Sequence, residues 1–273
     1  MSDKTILITG TSSGIGLATA VAAAQRGWRV VATMRDTTKA ASLLAAAEQA
    51  GVSVEVRALD VTDPGSIAAC LAGLDRLDAL VNNAGAGHLG TLEQEDLDDV
   101  RAVMEVNFFG VVAVTKAALP LLRASRGRVV TVTSVGGLVG QPFNEAYCAA
   151  KFAVEGFMES LAPVAATVGV AVSVVEPGAV ASEFVSNVGA LDVVVEHAGP
   201  YAPALSAYVE RTRGAFANAQ TPQGVAERMV ELLACERPAF RLLTSDAARS
   251  FAAVKLADLD GAAVQTLTRA WTA

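Results

Sequence analysis

The stretch TILITGTSSGIG, residues 5–16, joins a short run of β-branched and apolar residues to a cluster of glycines. The run has the composition of a buried strand. Gly10, Gly14 and Gly16 permit a tight turn whose backbone can approach a ligand closely. Because a helix that follows such a turn directs its first N–H groups at a phosphate, the stretch predicts a dinucleotide-binding turn at the start of an α/β fold.

The same residues also match G-x-S-x-G, the turn that exposes a serine nucleophile in hydrolases. A nucleophile of that kind follows an earlier strand, and the loop after that strand supplies part of the oxyanion hole. Only nine residues precede Gly10, which leaves no room for such a loop. The position therefore favours Ser12 as a phosphate or turn ligand, and a plain glycine-rich turn stays as a further alternative.

Composition limits the classes of protein that the chain can belong to. It has 273 residues, of which 52% are apolar and 18% charged, so we expect one domain spanning residues 1–273. The net charge of -7 argues against a nucleic-acid partner. We find neither an uninterrupted apolar run of membrane-spanning length nor a signal peptide, and so expect a soluble, cytoplasmic protein. Three widely spaced cysteines and two histidines indicate neither disulfides nor a metal site.

Short β-branched runs alternate with longer helical segments along the chain, which predicts a doubly wound parallel sheet covered by helices on both faces. Segment 52–58 alternates valine with polar residues and should lie at a sheet edge. Asp63-Pro64 and Thr221-Pro222 predict helix starts. The seven predicted strands are residues 5–9, 29–33, 52–58, 79–81, 128–133, 170–175 and 240–243.

Residues 178–208 are rich in glycine and proline and too long for a simple connection. We expect this segment to be a substrate lid within the single domain. An ordinary surface excursion is the alternative.

Several motifs together resemble those of the short-chain dehydrogenase/reductase family, in its single-domain branch. They are TGTSSGIG (9–16), NNAG (82–85), Asn107, Ser134, YCAAK (147–151) and the Pro177-Gly178 pair. The resemblance covers nearly the whole chain. It implies a Rossmann fold and an oxidoreductase whose catalytic residues are Asn107, Ser134, Tyr147 and Lys151.

The proposed roles follow partly from the residues and partly from the resemblance. Tyr147 and Lys151 are one helical turn apart and so share a face, although a surface pair on a helix has the same spacing. A tyrosine that donates a proton should have a pKa below its usual value of about 10, and an ammonium about 4 Å away can supply that shift. The resemblance implies that Ser134 binds the substrate oxygen and that Asn107 holds a water in a proton relay.

The end of the second strand, VVATMRD, bears on the choice of cofactor. Thr33 occupies the usual acidic position and Arg35 follows, which predicts NADP(H), although Asp36 and Ser13 leave NAD(H) as the alternative. Together, the turn, this strand end and the resemblance predict contacts to the cofactor from Gly10, Ser12, Ser13, Gly14, Ile15, Gly16, Arg35, Asp60, Val61, Asn82, Ala84, Gly85, Tyr147, Lys151, Pro177, Gly178, Val180 and Ser182.

The substrate is less determined. VVATMRD and the RLLTSDAA tail look most like the subgroup of 17β-hydroxysteroid and retinol dehydrogenases, which implies a small hydrophobic ketone or secondary alcohol. The residues placed to bind it are His88, Ser134, Gln141, Phe143 and Tyr147. For His88, a loop position without a role is an equal alternative.

Two predicted helices, residues 97–123 and 145–168, are apolar on more faces than one buried stripe requires. In the family they form the main subunit contact, so we expect a homodimer or homotetramer. Two other functions stay open: a hydrolase that uses Ser12 and a non-catalytic NADP-binding regulator.

Overall fold

The computed structural model of the chain describes residues 4–182, 191–216 and 219–272. Seven strands form one sheet in the order β3-β2-β1-β4-β5-β6-β7, and every described pairing is parallel. The predicted doubly wound sheet is therefore confirmed. The strands are β1 (Thr5–Thr9), β2 (Arg29–Met34), β3 (Glu55–Ala58), β4 (Ala79–Asn82), β5 (Arg128–Val132), β6 (Ala171–Glu176) and β7 (Arg241–Leu243).

Burial explains why these segments form strands. β1 is fully buried, as both faces of a central parallel strand must be. β3 lies at one edge, as its alternating pattern predicts, but begins at Glu55 and not at Val52. β2 continues one residue past its predicted end, because Met34 still pairs with Ala58 of β3.

Eleven α-helices are described, and the longer ones cover the two faces of the sheet. Ile6 and Ile8 of β1 pack with helices α1 and α9, whereas Leu7 points to the other face and packs with α3, α5 and α6. The helices are α1 (Gly14–Gln25), α2 (Ala41–Gln49), α3 (Pro64–Leu71), α4 (Leu97–Met104), α5 (Gly110–Ser125), α6 (Glu145–Ala166), α7 (Leu191–Glu196), α8 (Ala202–Phe216), α9 (Pro222–Ala234), α10 (Asp246–Leu256) and α11 (Ala262–Arg269).

The predicted helix 97–123 is not uniform. A π-helical turn, Glu105–Phe109, joins α4 to α5, and the combined helix runs over Leu97–Ser125. Within the described ranges it is the one helix whose length and hydropathy would allow it to cross a membrane. Val111, Val114, Ala118 and Leu122 on it are buried in the core against the sheet.

The predicted irregular segment 178–208 is largely helical where the structure describes it. α7 and α8 are joined by a short 3-10 turn, Gly199–Tyr201. Pro200 falls in the first turn of that 3-10 helix and Pro203 in the first turn of α8, positions at which proline is compatible with a helix. The part of the predicted lid at 183–190 lies outside the described residues.

Candidate active site

The glycine turn between β1 and α1 has the close packing that its sequence predicts. Gly10 and Gly14 have φ values of 71° and 57°, in the left-handed region that favours glycine. A Cβ atom on Gly10 would lie 2.8 Å from the Cα atom of Ala84, and one on Gly16 would overlap the Gly10 carbonyl oxygen. Ile15, between them, packs toward the core. The turn therefore accepts no side chain at Gly10 or Gly16.

Two residues outside the predicted set hold this turn in place. The Asn83 side-chain amide donates to the carbonyl oxygens of Thr9 and Gly10, both at 2.9 Å. The Thr9 hydroxyl accepts from the backbone N–H groups of Asn83 and Ala84, also at 2.9 Å. The NNAG motif thus clamps the glycine turn, and its second asparagine is the signal that would have identified the clamp.

Asn82, the first asparagine of that motif, faces the other way. It is 2% exposed, and its amide donates to the hydroxyls of Thr115 and Thr131. Its side chain therefore joins β4 to β5 and α5.

At the end of β2, Arg35 is exposed to solvent, whereas Thr33 is buried. Thr33 is 1% exposed and donates its hydroxyl to the Ile8 carbonyl oxygen, so it lies inside the sheet. Arg35 is exposed and forms no ion pair with a carboxylate in the described part of the chain. The Asp36 carboxylate caps the following 3-10 turn through the Thr38 hydroxyl and N–H, which lower its pKa.

Asp60 and Val61 follow β3 at the same edge. The Asp60 carboxylate accepts from the N–H and hydroxyl of Thr62, and the bond from that N–H is the main reason that its pKa lies below the usual value; burial opposes the shift. Val61 packs so closely on Gly110 that a Cβ atom there would lie 2.7 Å from it. Both residues lie near the amino end of α5.

A cleft of about 580 Å³ opens in front of the glycine turn. Its far wall is the segment after β6, which is fixed by hydrogen bonds of 2.9 Å between Gln220 and the backbone of Ala179 and Ala181. Val180 is buried in that segment. The cleft is lined by Ser12, Ser13, Gly14, Leu17, Ser42, Ala181, Ser182 and Pro222.

Ser134 and Tyr147 are joined by a hydrogen bond. Ser134 follows β5, and its hydroxyl accepts from the Gly136 N–H at 3.0 Å. The turn that it begins is tied to the segment after β6, because the Val135 N–H donates to the Pro177 carbonyl oxygen. Burial raises the pKa of Tyr147 to about 12, and its hydrogen bond with Ser134 opposes that shift.

The structure thus differs from the expectation of an acidic tyrosine. Lys151 is only 4% exposed, and its ammonium lies 5.7 Å from the centre of the Tyr147 ring. The same ammonium donates to the Val132 carbonyl oxygen at 3.2 Å. Burial lowers the pKa of Lys151 to about 8, and the charge of Glu155 opposes the change. For Tyr147, removal from water outweighs the other influences.

Asn107 lies in the π-helical turn and is fully buried. Its amide donates to the carbonyl oxygens of Ala86 and Val103, and its oxygen accepts from the Ala86 N–H. A Cβ atom on Gly85 would lie 2.8 Å from the Asn107 oxygen and 3.6 Å from the Lys151 ammonium. Gly85 therefore allows these two side chains to approach the loop after β4 from the same side.

Two of the predicted substrate residues, His88 and Phe143, lie in segments that contact each other. The Gly90 N–H donates to the Phe143 carbonyl oxygen at 3.0 Å, which brings the loop containing His88 to this position. His88 Nε2 lies 3.0 Å from a Glu95 carboxylate oxygen. Gln141, three residues after Leu138, packs near Gly136 beside the Ser134 turn.

An aromatic cluster closes over Phe143 and was not predicted. Tyr208 of α8 lies 5.7 Å from Phe143, ring centre to ring centre, and its hydroxyl oxygen accepts a 2.8 Å hydrogen bond from the Asn144 side-chain amide. Trp271, after α11, lies 6.4 Å from Tyr208. Leu89, beside His88, packs against the same group. Three segments that are distant in sequence thus build one apolar wall.

The arrangement fits a dinucleotide. The glycine turn offers a cradle that a Cβ atom would fill, at the N-terminus of α1, where backbone N–H groups favour a phosphate. The cleft lies between this turn and the segment after β6, and the start of that segment is tied to the Ser134 turn through the Val135–Pro177 hydrogen bond. Among the residues that the structure describes, no cluster of three His, Cys, Asp or Glu side chains could hold a metal ion.

Sequence comparison finds close relatives. Residues 4–192 match the profile of the short chain dehydrogenase family. Retinol dehydrogenase 8 of Bos taurus is 41% identical over 270 residues, which are 94% of this chain and 86% of the relative. Estradiol 17-beta-dehydrogenase 1 of Rattus norvegicus is 39% identical over 272 residues, 96% of this chain and 79% of the relative.

Solved structures show the same architecture. A short chain dehydrogenase/reductase of Burkholderia phymatum in complex with NAD superposes with a TM-score of 0.80 at 26% identity, covering 94% of both chains. An actinorhodin polyketide ketoreductase with NADPH superposes with a TM-score of 0.73 at 29% identity, covering 88% of this chain and 95% of the other. These relatives bind nicotinamide cofactors of both kinds.

Proposed function

This chain belongs to the short-chain dehydrogenase family, and on that premise we propose that it interconverts a hydrophobic ketone and its secondary alcohol with NADP(H). The family membership makes the chain an oxidoreductase that uses a nicotinamide cofactor. The observation that carries the proposal is the hydrogen bond between Ser134 and Tyr147, with Lys151 one helical turn away.

In ketone reduction, Tyr147 donates its proton to the carbonyl oxygen while Ser134 donates a hydrogen bond to the same oxygen. The nicotinamide, when bound, supplies the hydride. A phenol with a pKa of about 12 keeps its proton at neutral pH, which is the state that an acid needs. In alcohol oxidation the proton moves in the opposite direction, from the alcohol to a tyrosinate.

Lys151 stabilises the phenolate that remains once Tyr147 has released its proton. Its ammonium lies 5.7 Å from the centre of the Tyr147 ring, and a positive charge on that side favours the ionised phenol. In this proposal the same cation also holds the cofactor ribose.

We assign Asn107 to holding the loop after β4, through its bonds to Ala86 and Val103. A water-mediated proton relay through Asn107 stays a prediction. It can be examined by measuring the solvent isotope effect on turnover in Asn107→Ala, which should lose the proton-inventory signature of a bridging water.

Arg35 supports the choice of NADP(H). It is exposed at the end of β2, while Asp36 is engaged with Thr38 and Thr33 is buried. The charge of Arg35 acts on the nearby Asp60 carboxylate, but an exposed guanidinium without a direct ion pair among the described residues can bind the 2'-phosphate of the cofactor. We expect Arg35→Ala to lower kcat/KM for NADPH by about 10- to 100-fold and to leave kcat/KM for NADH nearly unchanged. A preference of the unsubstituted protein for NADH would select the NAD(H) alternative.

The apolar wall around Phe143, Tyr208 and Trp271 supports a hydrophobic substrate. The named substrates of the two relatives, retinol and estradiol, are the first compounds to test. His88 and Glu95 add one polar pair at the edge of this wall, where a second oxygen on the substrate could bind.

The deciding experiment is a screen of hydrophobic ketones with NADPH, and of alcohols with NADP, followed at the nicotinamide absorbance band. Tyr147→Phe should reduce turnover by at least about 100-fold, because the proton donor is lost, without abolishing NADPH binding measured by fluorescence. NADPH binding without turnover of any ketone would favour the non-catalytic regulator. Ester cleavage lost in Ser12→Ala would instead favour the hydrolase.

A further inference from the structure

Charged side chains are buried behind the candidate active site, between α6, β6 and β7. Glu155 of α6 and Glu176 of β6 are 5% and 0% exposed. Nη1 of Arg241, at the start of β7, donates to Glu155 Oε2 at 2.9 Å and also to Glu176 Oε1. Because one guanidinium nitrogen binds both carboxyl groups, the two groups are immediate neighbours.

The second oxygen of each carboxyl group lacks a donor. Glu155 Oε1 and Glu176 Oε2 are buried and have no hydrogen-bond donor in good geometry among the described residues; the Thr133 hydroxyl also approaches the Glu155 carboxyl group but donates to the Val175 carbonyl oxygen. The two carboxyl groups lie within hydrogen-bond reach of one another. A single proton on either group would turn it into a donor and satisfy both oxygens.

Electrostatics favour the same arrangement. Burial, followed by the charge of Glu155, raises the pKa of Glu176 to about 8, and burial also raises the pKa of Glu155. Two carboxylates that share a buried site cannot both ionise easily, whereas one proton between them leaves a single negative charge next to Arg241.

The pair is in contact with the reacting end of the molecule. Glu155 is one turn after Lys151 on α6, and its charge is the influence that keeps the pKa of Lys151 from falling further. A Cβ atom on Gly137 would lie 3.0 Å from the Glu155 side chain and 3.1 Å from the Lys151 carbonyl oxygen. α6 therefore packs tightly on the turn that Ser134 begins, with Glu155 at that contact.

Few other charges face the pair. On α6, Glu159 is 68% exposed and 3.7 Å from Arg241 Nη2. Thr133, directly after β5, is uncharged and contacts the Glu155 carboxyl group, and the Thr244 N–H after β7 donates to the Glu176 carbonyl oxygen. On α10, Asp246 and Arg249 pair with each other at the surface. Among the described residues, the cations next to the pair are thus Lys151 and Arg241.

We propose that Glu155 and Glu176 share one proton and act as positioning residues, through which the charge on Lys151 is set, an inference that rests on the proposed dehydrogenase function. The single negative charge is divided between a glutamate one turn from Lys151 and a glutamate on the next strand. Arg241 holds both carboxyl groups in place.

Two substitutions should act in opposite directions. In Glu155→Gln the negative charge moves to Glu176, away from Lys151, so the titration midpoint of Lys151 should fall by about one unit. In Glu176→Gln the charge is confined to Glu155, so the midpoint should stay or rise. Glu159→Gln is the matched control, because Glu159 is on the same helix, contacts the same arginine and is exposed; it should leave the midpoint unchanged.

The titration can be followed without substrate. The full chain contains five lysines, so carbon-13 labelling of lysine gives a simple NMR spectrum in which Lys151→Met identifies the Lys151 signal. In parallel, infrared spectra of the unsubstituted protein should show the C=O band of a protonated carboxyl group at pH 7, and this band should disappear as the pH rises above about 8. Both glutamine substitutions at the pair should remove the band, and Glu159→Gln should keep it.

The outcomes separate this proposal from the proposed function. Absence of the infrared band at pH 7, or equal NMR shifts in Glu155→Gln and Glu159→Gln, would overturn the shared proton whatever the enzyme assays show. Should Glu155→Gln fail to fold, the band in the unsubstituted protein and its loss in Glu176→Gln decide the matter. A shared proton together with no turnover of any ketone would count against the proposed function alone.

Discussion

Lys151 is only 4% exposed, and burying its positive charge lowers the stability of the folded protein at neutral pH. Burial lowers its pKa from 10.5 to about 8. Because the unfolded chain binds more protons than the folded chain between these two values, stability rises with pH across this window. Below pH 8 the full penalty applies, which is about 3 kcal/mol for a shift of this size.

We therefore expect Lys151→Met to stabilise the protein at pH 7 by up to about 3 kcal/mol while abolishing turnover. The gain should shrink toward zero as the pH rises from 8 to above 10.5. Urea denaturation at pH 7 and pH 10 measures the difference. The exposed Lys116 provides a control, since Lys116→Met should change stability by less than about 0.5 kcal/mol at either pH.

The glycine turn gives a second prediction at this scale. Gly16→Ala should abolish detectable NADPH binding and lower the free energy of unfolding by about 1–3 kcal/mol, because the new methyl group overlaps the Gly10 carbonyl oxygen and the Asn83 amide. Thermal unfolding and fluorescence titration measure the two effects. Gly214→Ala, in a part of α8 with open space around it, should instead be neutral or stabilising by up to about 1 kcal/mol. Equal losses in the two variants would contradict the overlap.

At the scale of residues, short motifs predict the positions of the site residues, but they do not predict burial or contacts between residues distant in sequence. The positions of Gly10 and Gly16 follow from the turn alone. The pKa of Tyr147 does not, because a helical spacing shows that Lys151 is near but not how deeply both groups are buried. No local pattern indicates the Asn83 clamp, because its partners, at the end of β1 and directly after it, are 74 and 73 residues away in sequence.

Among the elements, the helices α7, α8 and α11 carry the least predictable part of the site. Gly199, Pro200 and Pro203 resemble a loop, yet both prolines occupy first-turn positions of helical segments. The strands were easier to predict because parallel strands buried on both faces are apolar throughout. No local pattern indicates that Trp271 returns to pack beside Tyr208, since that contact depends on the whole fold.

If the aromatic wall binds substrate, Trp271→Ala should raise KM for a hydrophobic ketone by about 10-fold or more and leave the Kd for NADPH unchanged. Trp271 is 7% exposed and also packs on Phe251, so stability should fall by about 3 kcal/mol. Steady-state kinetics at a temperature well below unfolding separate the two effects. Leu259→Ala, at a fully exposed position, is the control and should change neither value. An unchanged KM in Trp271→Ala would remove the wall from the substrate site.

For the molecule as a whole, one surface is more apolar than an isolated monomer needs. Leu97, Phe109, Phe152, Val164 and Val168 are large hydrophobic residues that are 40% to 64% exposed on or next to α4, α6 and the π-helical turn. α4 and the π-helical turn both pack against α6, the helix that carries Phe152 and Val164. The predicted homodimer or homotetramer would cover them. Location in the cytoplasm stays a prediction.

We expect the protein to sediment as a dimer or tetramer at micromolar concentration, and the double variant Phe109→Asp with Phe152→Asp to sediment as a monomer. Two buried charges would prevent the apolar surfaces from meeting. Leu44→Asp, which adds a charge at a position 49% exposed on α2, should not change the mass. A monomer already in the unsubstituted protein would contradict the prediction.

The π-helical turn at Glu105–Phe109 has a consequence for how this protein can vary. A turn of this kind accommodates one residue more than an α-helix would hold, and each residue of an α-helix advances the chain by about 100° around the axis. Deleting a single residue there would restore a regular helix but rotate α4 against α5 by that angle, so the amide of Asn107 and the ring of Phe109 could no longer both keep their present directions. The extra residue therefore fixes the direction of the buried Asn107 amide relative to that of the exposed Phe109 ring. We expect homologous chains of other lengths to retain this residue.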